Sequence, residues 1–182
     1  MPKSTLAGHP AHPIVITFPV GLLPFSLVMD IAYLATRKKP FAQASFYSMV
    51  GGFLGGLISA ATGAADYFSI PPNTAARKTA NFHGLLNLGL LAIYGVNIAF
   101  RRQKEIPSGG AETLFSAAGN LALLISSWLG GSLIYEHGMR VQSVDPISAA
   151  DELRPPGDEA AEKLFRALQD RIILPAQPNK AS

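Results

Sequence analysis

The chain carries four histidines, His9, His12, His83 and His137, and no cysteine. Neutral imidazole ligates haem iron, zinc and copper, so these side chains are the first candidates for chemistry. The lack of thiol excludes a disulfide framework, a thiolate zinc site, a cysteine-held iron–sulfur cluster and a covalently attached c-type haem. Any metal must therefore rest on histidine, carboxylate, methionine or backbone oxygen, and any porphyrin must be held non-covalently. A b-type haem asks for two neutral imidazoles from different helices, with polar or positive groups near the propionates. His12, His83 and His137 are the candidate ligands, with His9 close by in sequence and Asn87 one turn beyond His83. Arg77, Lys78 and Arg140 are the candidate propionate partners. Direct binding of copper, zinc or iron by His12, His83, His137 and Asp66 is the competing metal chemistry. For any one histidine taken alone, an interfacial residue reaching towards water is the simpler reading.

The elements that must position these residues are membrane helices. Of 182 residues, 48% are hydrophobic and 15% charged, with mean hydropathy +0.25; soluble domains carry about 25% charged residues. Four apolar runs of about 20 residues are each long enough to cross a bilayer: Ile14 to Thr36, Ser45 to Ala65, Asn81 to Phe100 and Thr113 to Tyr135. The first is not a cleavable signal, because its basic cluster Arg37-Lys38-Lys39 follows the apolar run and does not precede it. Short connectors force antiparallel neighbours. The expected fold is all-α, an integral membrane four-helix antiparallel bundle over residues 1–141. A polar tail over 142–182 follows, with one amphipathic helix over about 158–173, in which Leu164, Phe165, Leu168 and Ile172 recur at helical spacing and Asp158 is a candidate N-cap.

The net charge of +3 and pI of about 9.3 do not indicate nucleic-acid binding, since the basic residues cluster at span ends as a topology signal. Arg37, Lys38, Lys39, Arg101, Arg102 and Lys104 lie in the connectors after spans one and three, against Lys3, Arg77, Lys78 and Arg140 at the other face. That bias predicts both termini on the outer, periplasmic side of a bacterial inner membrane, and it gathers all four histidines at that outer face. At the opposite side Asp30, Asn97 and Asn120 are polar at membrane depth. Asp30 and Asn120 lie at similar depth and could bond across spans one and four, as a structural clamp or as a route for proton uptake. In span two, Gly51, Gly55, Ser59 and Gly63, with Gly52 and Gly56, form small-residue rows suited to close helix packing or to a flat macrocycle.

The segments Gly8-His9-Pro10-Ala11-His12-Pro13, Phe18-Pro19-Val20-Gly21-Leu22, Gly63-Ala64-Ala65-Asp66-Tyr67, His83 with Asn87, and Gly130 to Val141 resemble the DUF2231 family of bacterial membrane proteins. The resemblance covers about residues 8–141, and its last motif is the most specific. It implies a four-span membrane domain, sometimes joined to Rieske-type or sugar-dehydrogenase modules, and with that company electron transfer at the outer face. It carries His9, His12, Asp66, His83 and His137 as matched positions. Family members often have a histidine where this chain has Thr17, so the resemblance implies a site and not a number of haems.

The leading functional expectation is a membrane-anchored b-type cytochrome that relays electrons between an outer-face partner and the quinone pool, with His12 and His83 as the first ligand pair. A non-catalytic accessory subunit of a respiratory or photosynthetic complex is the second reading, and a histidine and aspartate metal site the third. The chain contains no Walker or Rossmann glycine loop, no HExxH and no Ser-His-Asp context, so no catalytic residue is assigned and an electron carrier or complex subunit is favoured over an independent enzyme.

Overall fold

A computed structural model of the protein describes residues 4–6, 9–140 and 157–172. Four of its helical stretches are long and apolar enough to cross a membrane: Ala11–Thr36, Lys39–Tyr67, Ala75–Arg101 and Gly110–Tyr135. Each begins before the run expected from hydropathy, and the second and third also end beyond it, because flanking turns continue the helix once it is packed. The first is divided into α1 (Ala11–Val15) and α2 (Thr17–Thr36). Pro19 has no N–H to offer the carbonyl one turn back, which is that of Val15, and this is where the helix is interrupted. α3 (Lys39–Tyr67) opens with Pro40 in its first turn, where a missing N–H costs nothing. α4 (Ala75–Arg101) is capped by Thr74, whose side chain accepts from the Arg77 N–H at 3.1 Å, and α5 (Gly110–Tyr135) completes the bundle. Before α1, β1 (Thr5–Leu6) and β2 (His9–Pro10) form a two-residue antiparallel ladder that the sequence did not suggest.

The tail helix α6 spans Asp158–Ile172. The amides of Ala160 and Ala161 both reach the Gly157 carbonyl, so Gly157 is the cap and Asp158 lies in the first turn, not at the N-cap position expected of it. Positions 141–156 and 173–182 of the expected tail lie outside the described residues.

α2 packs on α3, α4 on α5, α3 on α4 and α2 on α5, an up-down-up-down circuit in which α2 faces α4 across the diagonal. The two hairpins are related by an approximate twofold axis along the bundle. Inward residues Pro19, Leu23, Ser26 and Asp30 of α2 correspond to Leu90, Tyr94, Asn97 and Arg101 of α4, each pair separated by the same 71 positions as Asp30 and Arg101. On α3 and α5, Ser45, Met49, Gly52 and Ser59 correspond to Glu112, Ser116, Gly119 and Ser126 at a constant separation of 67 positions, all of them buried. Parallel internal repeats of this kind are a recurrent way to build membrane bundles.

Between the ends of the bundle lies a dry core of Leu23, Met49, Leu90, Tyr94 and Leu123, and a smaller cluster of Ile70, Ala80 and Leu133 closes the end that carries the histidines. Neighbouring helices fill the glycine rows of α3: a Cβ on Gly52 would lie 2.6 Å from Leu23 Cδ2 and one on Gly55 2.6 Å from Phe18 Cβ, both of α2, while one on Gly56 would lie 3.0 Å from Leu91 Cδ2 of α4. These rows serve close helix packing and present no open face to a macrocycle.

Candidate functional site

Two polar layers flank the dry core. From His12 to Asp30 along α1 and α2, and from His83 to Arg101 along α4, the chain climbs about five turns, or about 27 Å. That is close to the roughly 30 Å of a bilayer's hydrocarbon. The two layers are thus spaced about as far apart as the two boundaries of a bilayer's hydrocarbon, one marked by histidines and one by arginine.

The arginine layer is a closed network. Arg101 and Asp30 are both 0% exposed and pair in bidentate fashion, Nη1 to Oδ1 and Nη2 to Oδ2, each at 2.7 Å. Arg101 Nη1 also donates to Ser45 Oγ and the Pro107 carbonyl, Nη2 to Ser116 Oγ, and Nε to Asn97 Oδ1 at 2.9 Å. Asp30 accepts in addition from the hydroxyls of Ser45, Ser108 and Ser116. Asn97 donates to Ser116 Oγ and the Glu112 carbonyl, and Lys104 pairs with Glu112 at the rim. The expectation that Asp30 would meet Asn120 is corrected here: Asn120 donates to Tyr94 Oη and to the carbonyls of Ser116 and Leu23, and Arg101 takes its place beside Asp30. Arg101 itself is no connector charge, because α4 carries it to its last residue and turns it into the bundle. Burial of two charges is tolerable only when every donor and lone pair is used, as here. This centre locks four helix ends together.

The histidine layer is built differently. His12 Nδ1 lies 2.9 Å from the Ser59 carbonyl on α3, and His83 Nδ1 lies 3.0 Å from the Ser126 carbonyl on α5. One turn beyond each serine is a glycine lying against the ring: a Cβ on Gly63 would lie 3.1 Å from His12 Cε1, and one on Gly130 would lie 3.3 Å from His83 Cε1. The two sites are thus the same site repeated by the twofold. A carbonyl can only accept, so Nδ1 of each ring donates, and a neutral ring in that position keeps its lone pair on Nε2. Asn87 Nδ2 donates to His83 Nε2 at 3.1 Å and to the His83 carbonyl at 2.9 Å. Among the described residues no donor meets His12 Nε2.

The remaining candidates are placed elsewhere. His137 follows α5 and its Nε2 lies 3.4 Å from Thr79 Oγ1, one turn further out than His83. His9 is exposed in β2. Asp66 receives the Ser4 amide at 3.1 Å and pairs with Arg140 at 3.1 Å, while Arg140 also donates to the Ser4 carbonyl. Arg77 donates through Nη1 to the carbonyls of Tyr67 and Ile70 and lies 3.7 Å over the Tyr67 ring. Arg77 and Arg140 thus hold the α3–α4 loop and the N-terminal strap, and Lys78 is exposed. Among the described residues no group of three or more His, Asp or Glu side chains converges, so His12, His83, His137 and Asp66 are not assembled into one ligand set.

Sequence reading singled out His12, His83 and Asn87 but missed what orients them. Ser59 and Gly63 on α3 and Ser126 and Gly130 on α5 share one spacing, and comparison of the two hairpins would have exposed it. The family described as predicted membrane protein (DUF2231) matches residues 8–143, the whole bundle with both histidine hairpins. The chain belongs to that family. No curated protein and no solved structure matches it. As a DUF2231 membrane protein with four candidate spans, the chain contacts the lipid bilayer through the apolar outer faces of α2 to α5, where Phe25, Leu54, Leu85 and Leu124 are exposed.

Proposed function

We propose that this DUF2231 protein is a membrane-anchored, b-type cytochrome-like electron carrier whose haem is held by His12 and His83. The observation that carries the reading is the repeated anchoring of Nδ1: the Ser59 and Ser126 carbonyls hold both rings through Nδ1, the arrangement in which a neutral imidazole has Nε2 for iron, with Asn87 meeting that atom at His83 alone. The donor set fits the group. Two imidazoles come from diagonal helices of a twofold-related pair, Gly63 and Gly130 make room for the rings, and Asn87 can yield Nε2 while keeping its bond to the His83 carbonyl. Bound there, a haem b would supply reversible one-electron chemistry. The chain's own residues would orient the ligands, exclude water through Ile70, Ala80 and Leu133, and block any polar path to the arginine layer through the Leu23, Leu90 and Leu123 core.

In this reading the histidine end faces outward from a bacterial inner membrane. Arg37, Lys38, Lys39, Arg102 and Lys104 are exposed at the opposite end, which supports that orientation by the positive-inside rule. Electrons would pass between an outer-face protein partner and membrane quinone.

The test is haem content by pyridine haemochrome on protein purified from haem-supplied cells. His12→Ala and His83→Ala should each lose the haem, while His137→Ala should keep it. Retention in both of the first two variants would overturn the assignment. A second reading, a non-catalytic complex subunit, is favoured by one observation, the complete internal satisfaction of His83 through Ser126 and Asn87. It predicts a colourless, metal-free protein that co-purifies with partners.

A further inference from the structure

We infer that α6 is an interfacial anchor, lying in the boundary between lipid headgroups and acyl chains at the histidine end, with Leu164 and Leu168 in lipid. The helix runs over 15 residues, Asp158–Ile172, about 22 Å at helical rise. That is too short to cross about 30 Å of hydrocarbon, so it can lie on the membrane but not span it.

Its position is set by contacts with the end of α5. Phe165 stacks on Trp128 of α5, ring centroids 5.3 Å apart and planes 22° from parallel, and Arg166 lies 3.9 Å from Glu136. Trp128 sits between Ser126 and Gly130, the residues that meet His83. It therefore stands in the histidine layer, about one hydrocarbon thickness from Asp30 and Arg101. It is the single tryptophan of the chain, at the depth where indole rings gather at membrane boundaries. Docked at that depth, α6 shares the bilayer boundary with Trp128.

Its apolar face continues a surface already given to lipid. Leu164 and Leu168 flank Phe165 at helical spacing, yet they remain 59% and 44% exposed. On α5 below Trp128, Leu121 and Leu124 are exposed in the same way as the bundle's lipid-facing wall. Lys163 and Arg166 are exposed on α6 as well, and their long stems can lift charge into the headgroups. A phospholipid surface satisfies this combination: it meets a single amphipathic face beside a transmembrane wall without any specific pocket. The inference is independent of whether the imidazoles bind haem.

The lack of cysteine makes the test direct. The full chain, reconstituted in phosphatidylcholine and phosphatidylglycerol nanodiscs, is spin-labelled at Leu164→Cys, Leu168→Cys and, as the polar-face reference, Lys163→Cys. Collision rates are then measured with oxygen, which partitions into lipid, and with a water-soluble nickel chelate. The expected result is a several-fold higher oxygen-to-nickel ratio at both leucine positions than at Lys163→Cys. Equal nickel access at all three sites would place the helix in water and overturn the inference. Protection of the leucine sites from both reagents would also overturn it, by showing a protein surface, such as a second copy of the chain, over that face.

Discussion

Asp30 and Arg101 occupy equivalent positions of the two hairpins and meet in a bidentate pair buried in the bundle. The twofold would bring two identical residues together at that level; an acid in one half and a base in the other make the contact attractive and favour pairing of unlike hairpins. The same symmetry operation that yields a salt bridge at this end yields two equivalent imidazoles at the other.

The pair should behave as one unit in stability. Asp30→Asn and Arg101→Gln each leave buried polar groups without partners and are expected to cost about 3–5 kcal/mol. In a double-mutant cycle the combined variant should be less destabilised than the sum, with a coupling of about 0.5–3 kcal/mol. Thermal unfolding in detergent, followed by circular dichroism, measures all four corners. Strict additivity would mean that the contact carries no energy of its own.

Glycines of the two layers separate packing from ligand placement. Gly52→Ala drives a methyl against Leu23 and should lower stability by about 1–3 kcal/mol while leaving haem content intact. Gly63→Ala and Gly130→Ala press on the imidazoles of His12 and His83 and should lower haem content or alter its spectrum. Gly131→Ala, with nothing within 4 Å of the new carbon, is the silent control. A spectrum unchanged by both imidazole-facing substitutions would show that those rings do not hold the cofactor.

The α3–α4 loop depends on side chains that a propionate role would have reserved for the cofactor. Thr74→Ala removes the cap of α4 and should cost about 1 kcal/mol. Arg77→Met removes the bonds to the Tyr67 and Ile70 carbonyls together with the contact over the Tyr67 ring. It should therefore lower the melting temperature at unchanged haem-to-protein ratio. Loss of haem at unchanged melting temperature would return Arg77 to the propionates.

Asp66 ties three parts of the chain, through Ser4, Arg140 and its own helix. Asp66→Asn should release the strap before α1, seen as faster amide hydrogen exchange over Ser4 to Leu6 with little change in the core helices. Unchanged exchange there would show that the strap is held without the carboxylate.

The bundle was legible because hydropathy alone marks helices that must satisfy their backbone in lipid. Pattern gave less at span ends, where Lys39, Gln43 and Arg77 continue helices that apolar content alone would have ended. The candidate histidines were legible as residue types, and His12 and His83 are brought into equivalent places. His137 was not separable from them, because the turn after Tyr135 and the Thr79 contact are tertiary. Arg101 was misread, since a basic residue at a helix end looks like a topology charge until the partner aspartate on another helix is known. The twofold relation was present in the spacing of His12 with Asp30 and His83 with Arg101, yet little residue identity accompanies it, so only the three-dimensional equivalence makes it plain.

In the proposed function, His12 and His83 would hold one redox cofactor between them. The most direct measurement is a reduced-minus-oxidised visible spectrum of the intact protein, purified in mild detergent from cells supplied with haem precursor. A sharp b-type α band at about one haem per chain is the predicted result. A preparation with no Soret absorption, folded and helical, would contradict it and leave the imidazoles as bonds between helices.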